Sequence, residues 1–262
     1  PLSVIANGVS TAAITAMVKD KHANPVLPVE ITFGLSPPDI GVLSSTSSLT
    51  LVGAATSDVT SVAGRSGAGL LTATVPVGGG ATVGSAIVVL FSVDPTKEMV
   101  VKSPNGGPAI FVPLGVLPPG VVALEAREPD AESVSRIAQA YEEARNGKPV
   151  DFISLALGEW EFIAWGLRDD GTVYEYRGEF NGDGVQLRFS YPDEDGDGKS
   201  DVGLYAKWLR IFTLNEDEDS ARWEMISSEL QKEAKEIWAW VKHFSVYALH
   251  GIQPPLRDPA SL

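Results

Sequence analysis

Cysteine is absent from the 262 residues. That excludes disulfides, thiolate metal sites, iron–sulfur clusters and a cysteine nucleophile. Basic residues are scarce: 20 Lys and Arg stand against 34 Asp and Glu, for a formal net charge of −14. No nucleic-acid partner is expected, because a phosphate-gripping protein needs a basic footprint. The same charge argues against docking on anionic lipid. Long apolar runs are also missing. The longest uncharged stretch, Ser66–Val93, is rich in Gly, Ser and Thr, so no membrane insertion is expected from it. No charged-then-apolar leader opens the chain at Pro1, so a signal peptide would have been removed or lie outside this sequence.

What is present falls into two parts. At about 150 residues per domain, the length allows one large or two small domains. Residues 1–95 are nearly neutral, with Lys19, Lys21 and Arg65 against Asp20, Glu30, Asp39, Asp58 and Asp94. The remainder carries almost all of the negative charge and all six Trp, from Trp160 to Trp240. The shift in composition predicts domains at 1–95 and 96–251, followed by a Pro-rich tail at 252–262.

The first part reads as all-β. Ile14, Ala16 and Val18 alternate onto one face, as do Val29, Ile31 and Phe33. Gly69–Val75 and Ser85–Val93 complete the set, the latter apolar on both faces and so expected as a central strand. Asn24 and Pro25 mark a turn. The segment Ala6–Phe33, "ANGVSTAAITAMVKDKHANPVLPVEITF", resembles the start of a bacterial Ig-like domain of the invasin/intimin type. Ala6, Asn7, Gly8, Ser10, Ile14, Ala16, Val18, Asp20, Asn24, Pro25, Val26 and Phe33 carry the resemblance.

The second part is mixed. Asp130 caps an expected helix, Ala131–Asn146, with Val134, Ile137, Ala138, Tyr141 and Ala144 as its apolar stripe. Gly147 and Pro149 stop it. Asp169-Asp170-Gly171 and Asn181-Gly182-Asp183-Gly184 are hairpin turn signals. Strands are expected at Trp208–Leu214 and Arg222–Ser227, with a long final strand at Ile237–Leu249. Between them, "SELQKEAKE" reads as helix or as a charged hairpin loop. "FVPLGVLPPG" and "HFSVYAL" resemble the early and closing strands of a ZU-five-like sandwich, which leaves the helix as an insertion.

Three constellations could carry chemistry. In Asp193–Asp201, "DEDGDGKSD", Asp193, Asp195 and Asp197 fall at loop positions 1, 3 and 5. Gly198 follows at 6, the Lys199 carbonyl at 7 and Asp201 at 9. This is the oxygen cage that Ca²⁺ takes, although position 12 is Leu204 rather than a bidentate Glu. The alternative is a solvated acidic turn. Second, His243-Phe244-Ser245 is similar to the self-cleaving tripeptide of ZU-five-like and adhesion-receptor domains. His243 would take the Ser245 Oγ proton, and that oxygen would attack the Phe244 carbonyl. The alternative is that His243 and Ser245 share a strand face and only pack or hydrogen-bond.

Third, the Trp set could line a carbohydrate platform, but alternation on strands favours core packing. Glu159 and Glu161 flank Trp160 on the opposite face, where a glycosidase-like pair is less expected than solvated carboxylates. His22 and His250 have no partner at ligand spacing and are expected in exposed loops.

The sequence predicts a mainly β fold: an Ig-like β-sandwich plus a second β-rich sandwich domain with one inserted helix. The resemblances imply a non-catalytic structural or adhesion protein, extracellular or on a bacterial cell surface. Its partners would be other protein subunits or surface proteins, with carbohydrate as a further candidate. Two alternatives stay open. One is a filament or surface-layer subunit in which Pro1–Gly8 is donated to a neighbour by β-strand addition. The other is a self-cleaving module.

Overall fold

The computed structural model describes residues 2–77, 81–147, 152–153, 158–217 and 220–252. The tail expected at 252–262 lies almost wholly outside them, as does Pro149. The chain divides into two compact units. The first comprises Pro1–Val101, Pro119–Glu125 and Ala164–Tyr176; the second comprises Lys102–Pro118, Ala126–Ile163 and Arg177–Leu262. The fold is mainly β, with one α-helix among the described residues, and none of those residues forms a helix long and apolar enough to cross a membrane.

The first unit opens with β1 (Leu2–Ile5), β2 (Thr11–Met17), β3 (Glu30–Ser36), β4 (Gly41–Leu43), β5 (Ser47–Leu49), β6 (Ala54–Ser61), β7 (Gly67–Val77) and β8 (Ala81–Ser92). One sheet has the order β1-β8-β7-β3-β5 and the other β2-β6-β4. Alternation sends Val4, Ile14, Ile31, Phe33, Val59, Leu71, Val89 and Phe91 inward to a common core, the arrangement of a two-layer sandwich. Phe91 is fully buried. It fits because its neighbours are glycines: a Cβ on Gly41 would lie 2.9 Å from its ring, and one on Gly69 3.1 Å. The turn around Asn24 forms as expected. Asp20 Oδ1 accepts the backbone N–H groups of His22 and Asn24 at 2.8 and 2.9 Å.

β8 meets the expectation of a central strand over part of its length, lying between β1 and β7 in its sheet. Only Val89–Ser92 pairs with β1, in parallel, and is buried; Ala81–Val88 is exposed. A strand apolar on both faces is central only where neighbours cover both of its edges, and β1 is four residues long.

β9 (Met99–Lys102) leads to β10 (Ala109–Val112) and β11 (Val121–Arg127). Part of β11 returns to the first unit, where Val93 N–H donates to Val122 O at 2.8 Å. The buried Ser66 hydroxyl there donates to Phe91 O and accepts Leu124 N–H. Then come α1 (Ala131–Gly147), β12 (Phe152–Ile153), β13 (Glu159–Leu167), β14 (Val173–Tyr176), β15 (Val185–Ser190), β16 (Leu209–Asp217), β17 (Ser220–Met225), β18 (Glu229–Gln231), β19 (Glu236–Val241) and β20 (Val246–Ile252).

In the second unit, one sheet runs β18-β19-β15-β10, and another runs from the start of β13 through β20 and β16 to β17. Rings meet between the two, where Phe162 lies 6.0 Å from Phe189; Tyr247 stands 5.5 Å from Phe162 in its own sheet, and Phe180 and Phe244, in the connecting loops, lie 4.9 Å apart. This is a second sandwich core. α1 packs on the β17 side through Ile137, Ala140 and Tyr141, against Leu214, Ala221, Trp223 and Val246.

Several local expectations are corrected. α1 is capped by Asp130, whose Oδ1 accepts Ser133 N–H at 2.9 Å. Its buried stripe, however, is Ser133, Ile137 and Ala140, while Val134 and Ala138 are exposed. The polar Ser133 turns inward because its hydroxyl reaches Glu161 at 3.3 Å. "SELQKEAKE" forms the β18–β19 hairpin, with Lys235 at the turn in left-handed conformation (φ 55°). Asp169-Asp170-Gly171 closes the β13–β14 hairpin, whereas the Asn181–Gly184 turn joins strands that pair in different sheets. The expected final strand is two strands, β19 and β20, belonging to different sheets and separated by a corner at 242–245.

Candidate functional site

The acidic loop connects β15 to β16. It is closed at its base by Asp201 N–H donating to Pro192 O at 2.8 Å, and by Glu194 N–H donating to Asp201 Oδ1 at 3.0 Å. Gly196 (φ 72°) and Gly198 (φ 80°) take the left-handed conformation that lets the chain double back between the carboxylates. Within this frame one carboxylate oxygen each from Asp193, Asp195 and Asp197 falls within 4.8 Å of the others. At such separations each like-charge pair costs about 1 kcal/mol in water and roughly 3–4 kcal/mol at an effective dielectric near 20.

Asp195 and Asp197 are exposed, but Asp193 is only 5% exposed. Its Oδ1 is buried and has no hydrogen-bond partner. Two lysines face the cluster. Lys199 Nζ lies 3.4 Å from Asp197 Oδ2, and that hydrogen bond raises the pKa of the lysine. Lys235 Nζ donates to the Asp193 backbone carbonyl and stands 4.0 Å from Asp193 Oδ1. The sequence-predicted residues are thus brought together in part. Asp193, Asp195 and Asp197 converge, Lys199 pairs with one of them, and Asp201 spends an oxygen closing the loop.

His243, Phe244 and Ser245 lie in the corner between β19 and β20, not on a shared strand face. His243 is exposed. The Ser245 hydroxyl donates to Leu214 O at 2.9 Å, so its proton is held by a backbone carbonyl of β16. Phe244 packs between Phe162 and Phe180, and the His243 carbonyl accepts from Tyr247 Oη at 2.8 Å.

The Trp residues correct the expectation of core packing in part: Trp223 packs on a buried cluster with Tyr141 and His250, while the others are less enclosed. Five are half-buried, and Trp240 is 47% exposed. Ile237, Ala239 and Val241 take the inner face of β19, which leaves Trp238 and Trp240 on the outer one. There Arg188 lies 4.7 Å over the Phe111 ring and 4.6 Å over Trp238, and Phe111 meets Trp240 edge-on at 6.4 Å. Cation–π contacts of this kind hold aromatic surface in place outside a core. Trp160 lines an open cleft of about 420 Å³ with Gly107, Tyr191 and Pro192.

Glu159 and Glu161 are half-buried rather than solvated. Glu159 accepts Tyr141 Oη at 2.7 Å. Glu161 accepts Arg127 Nη2 at 2.7 Å and Ser133 Oγ at 3.3 Å. Both therefore fasten α1 and its approach, and their ligands within the fold are structural.

His22 is exposed as expected. His250 is not: it is fully buried in β20. Its ring lies edge-on to Phe212 at 5.3 Å, Trp223 at 5.4 Å and Tyr141 at 5.9 Å, and Nε2 is 3.4 Å from Tyr141 Oη. Burial pushes its pKa down to about 4. Spacing in the sequence could not find it, because its partners come from α1, β16 and β17.

No family model matches this sequence, and no curated protein is similar to it. Among solved structures the chain is similar to the D0-D1 domain of intimin, with a TM-score of 0.31 and 13% identity over 97% of this chain and 88% of that one. It is also similar to domains 4–9 of the surface layer protein SbsC, with a TM-score of 0.29 and 12% identity over 97% of this chain and 26% of that one. A third likeness is to the adhesin InvE of Yersinia pseudotuberculosis, with a TM-score of 0.30 and 14% identity over 91% of this chain and 71% of that one. At these scores the likenesses carry no weight for function.

Proposed function

We propose that this chain is a non-catalytic extracellular module of a bacterial cell surface, acting as a tension-bearing spacer. The observation that supports this reading is the parallel pairing of the first strand with the last strand of the opening sandwich. β1 and β8 are matched from Leu2↔Val89 to Ile5↔Ser92, and Ala6 N–H adds a bond to Ser92 O at 2.8 Å. A chain pulled backward through β1 and forward through β8 loads this parallel register in shear. The bonds must then fail together rather than one by one, and resistance to forced unfolding is set by that barrier.

Single-molecule pulling of the whole chain between its ends tests the proposal. A discrete unfolding event of the first unit is expected. It should weaken in Ser3→Pro and in Val4→Pro, which between them cover both alternations of the ladder and remove a backbone donor. If the parent extends at forces no higher than both proline variants, the spacer reading fails.

Assembly by strand addition is a second reading with its own support. Among the described residues no strand pairs with the outer edge of β8 over Ala81–Val88, and Val83 and Ile87 there are 62% and 45% exposed. Unpaired apolar edges accept strands. Leu2–Ile5 is engaged in its own sheet, so β8 is the acceptor, and donation of β1 to a neighbour requires release of that pairing.

A further inference from the structure

We propose that the loop between β15 and β16 is a Ca²⁺ site, held by the carboxylates of Asp193, Asp195 and Asp197, with the Lys199 carbonyl and water completing the shell. Convergence of three acidic groups is not by itself a site. The independent observation is the Asp193 carboxylate: its side chain is 4% exposed, and its buried Oδ1 has no hydrogen-bond partner. It is one of the three groups whose oxygens lie within 4.8 Å of one another. A buried anionic oxygen left without a donor is costly unless a cation meets it. Lys235 pairs with Oδ1 at 4.0 Å, beyond hydrogen-bond distance, while its ammonium donates to the Asp193 backbone carbonyl, so it offsets part of the charge without supplying the missing donor. Lys199 is engaged with Asp197, farther along the loop.

The donor set selects the ion. Every candidate ligand is oxygen, and the sequence has no cysteine and no histidine in the loop, so a hard cation is favoured over Zn²⁺. Ca²⁺ tolerates the irregular geometry of a glycine-hinged loop, whereas Mg²⁺ demands a near-ideal octahedron. Leu204 stands where a bidentate carboxylate would otherwise complete the cage. That places the affinity in the weak range of extracellular modules, about 10⁻⁴–10⁻³ M. The site is independent of the spacer reading, which concerns the first unit and can be tested in chelator.

The experiment is titration of the chelator-stripped full chain with CaCl₂ alone at fixed ionic strength. Calorimetry and urea unfolding are both followed. Saturable binding is expected, and 10 mM Ca²⁺ should raise the ratio of folded to unfolded second unit about tenfold to a hundredfold. Asp193→Asn should weaken binding at least about tenfold, the loss typical of a disturbed metal shell. In case that buried substitution disturbs folding, the Asp195→Asn/Asp197→Asn double variant changes only exposed side chains and should abolish the Ca²⁺ response while being at least as stable as the parent without the ion, because two mutually repelling charges are gone. Absence of saturable binding up to 10 mM overturns the proposal, as does a double variant that binds as tightly as the parent. Mg²⁺ binding as tightly as Ca²⁺ overturns the assignment of the ion.

Discussion

The buried imidazole of His250 ties stability to pH in a defined window. Its ordinary pKa of 6.5 falls to about 4 in the folded chain, because burial among Tyr141, Phe212 and Trp223 disfavours the charged ring. Between those values the unfolded chain binds a proton that the folded chain does not. Stability is therefore complete above 6.5 and is withdrawn as the pH falls toward 4. One pKa unit corresponds to about 1.36 kcal/mol, so the full loss is about 3 kcal/mol, a sizeable part of the roughly 5–15 kcal/mol that holds a domain together.

Aspartates act in a lower window. Asp20, Asp130 and Asp170 are held below the usual carboxylate value by the backbone N–H groups of Asn24, Ser133 and Thr172, and Asp94 is held at about 2 by the Thr96 hydroxyl. Their contribution is present above 3.8 and is lost as the pH falls through their folded values, below the His250 window. Urea unfolding at pH 7, 6, 5 and 4.5, followed by tryptophan emission, should show the parent losing stability stepwise. His250→Phe, which keeps a ring in the aromatic cage, should be nearly flat over the same range. Parallel curves for the two proteins would refute the reasoning.

Two further outcomes follow from the geometry. In Gly107→Ala the added Cβ would overlap the Trp160 ring and crowd Ser103 Oγ, so the ring must move. A shifted tryptophan emission maximum and a loss of about 1–3 kcal/mol are expected, and an unchanged spectrum with unchanged unfolding would contradict the packing described. Because the Ser245 proton is held by Leu214 O, intact-mass measurement under denaturing conditions should give one species of 27.8 kDa; a pair of fragments meeting at Phe244–Ser245 would reverse that reading.

Residue alternation determined much of this protein by itself. A period of two in Ile31 and Phe33, or in Ile237, Ala239 and Val241, dictates which side of a strand is buried, and those residues are buried. Turn chemistry was equally local: Asp20 and Asn24, Gly171 and the Asp130 cap act within a few residues of chain. The aspartates at alternate loop positions were legible for the same reason. Tertiary structure decided whatever depends on the second neighbour. Alternation places Trp238 and Trp240 on one face without saying whether another sheet covers it, and none does so fully. An apolar β8 reads as central until the length of β1 limits the cover. The helix stripe turned toward Ser133 because Glu161, 28 positions later, offers a bond. His250 passed from an expected loop to a buried strand because the residues that enclose it are distant in sequence and meet only when the sheets are stacked.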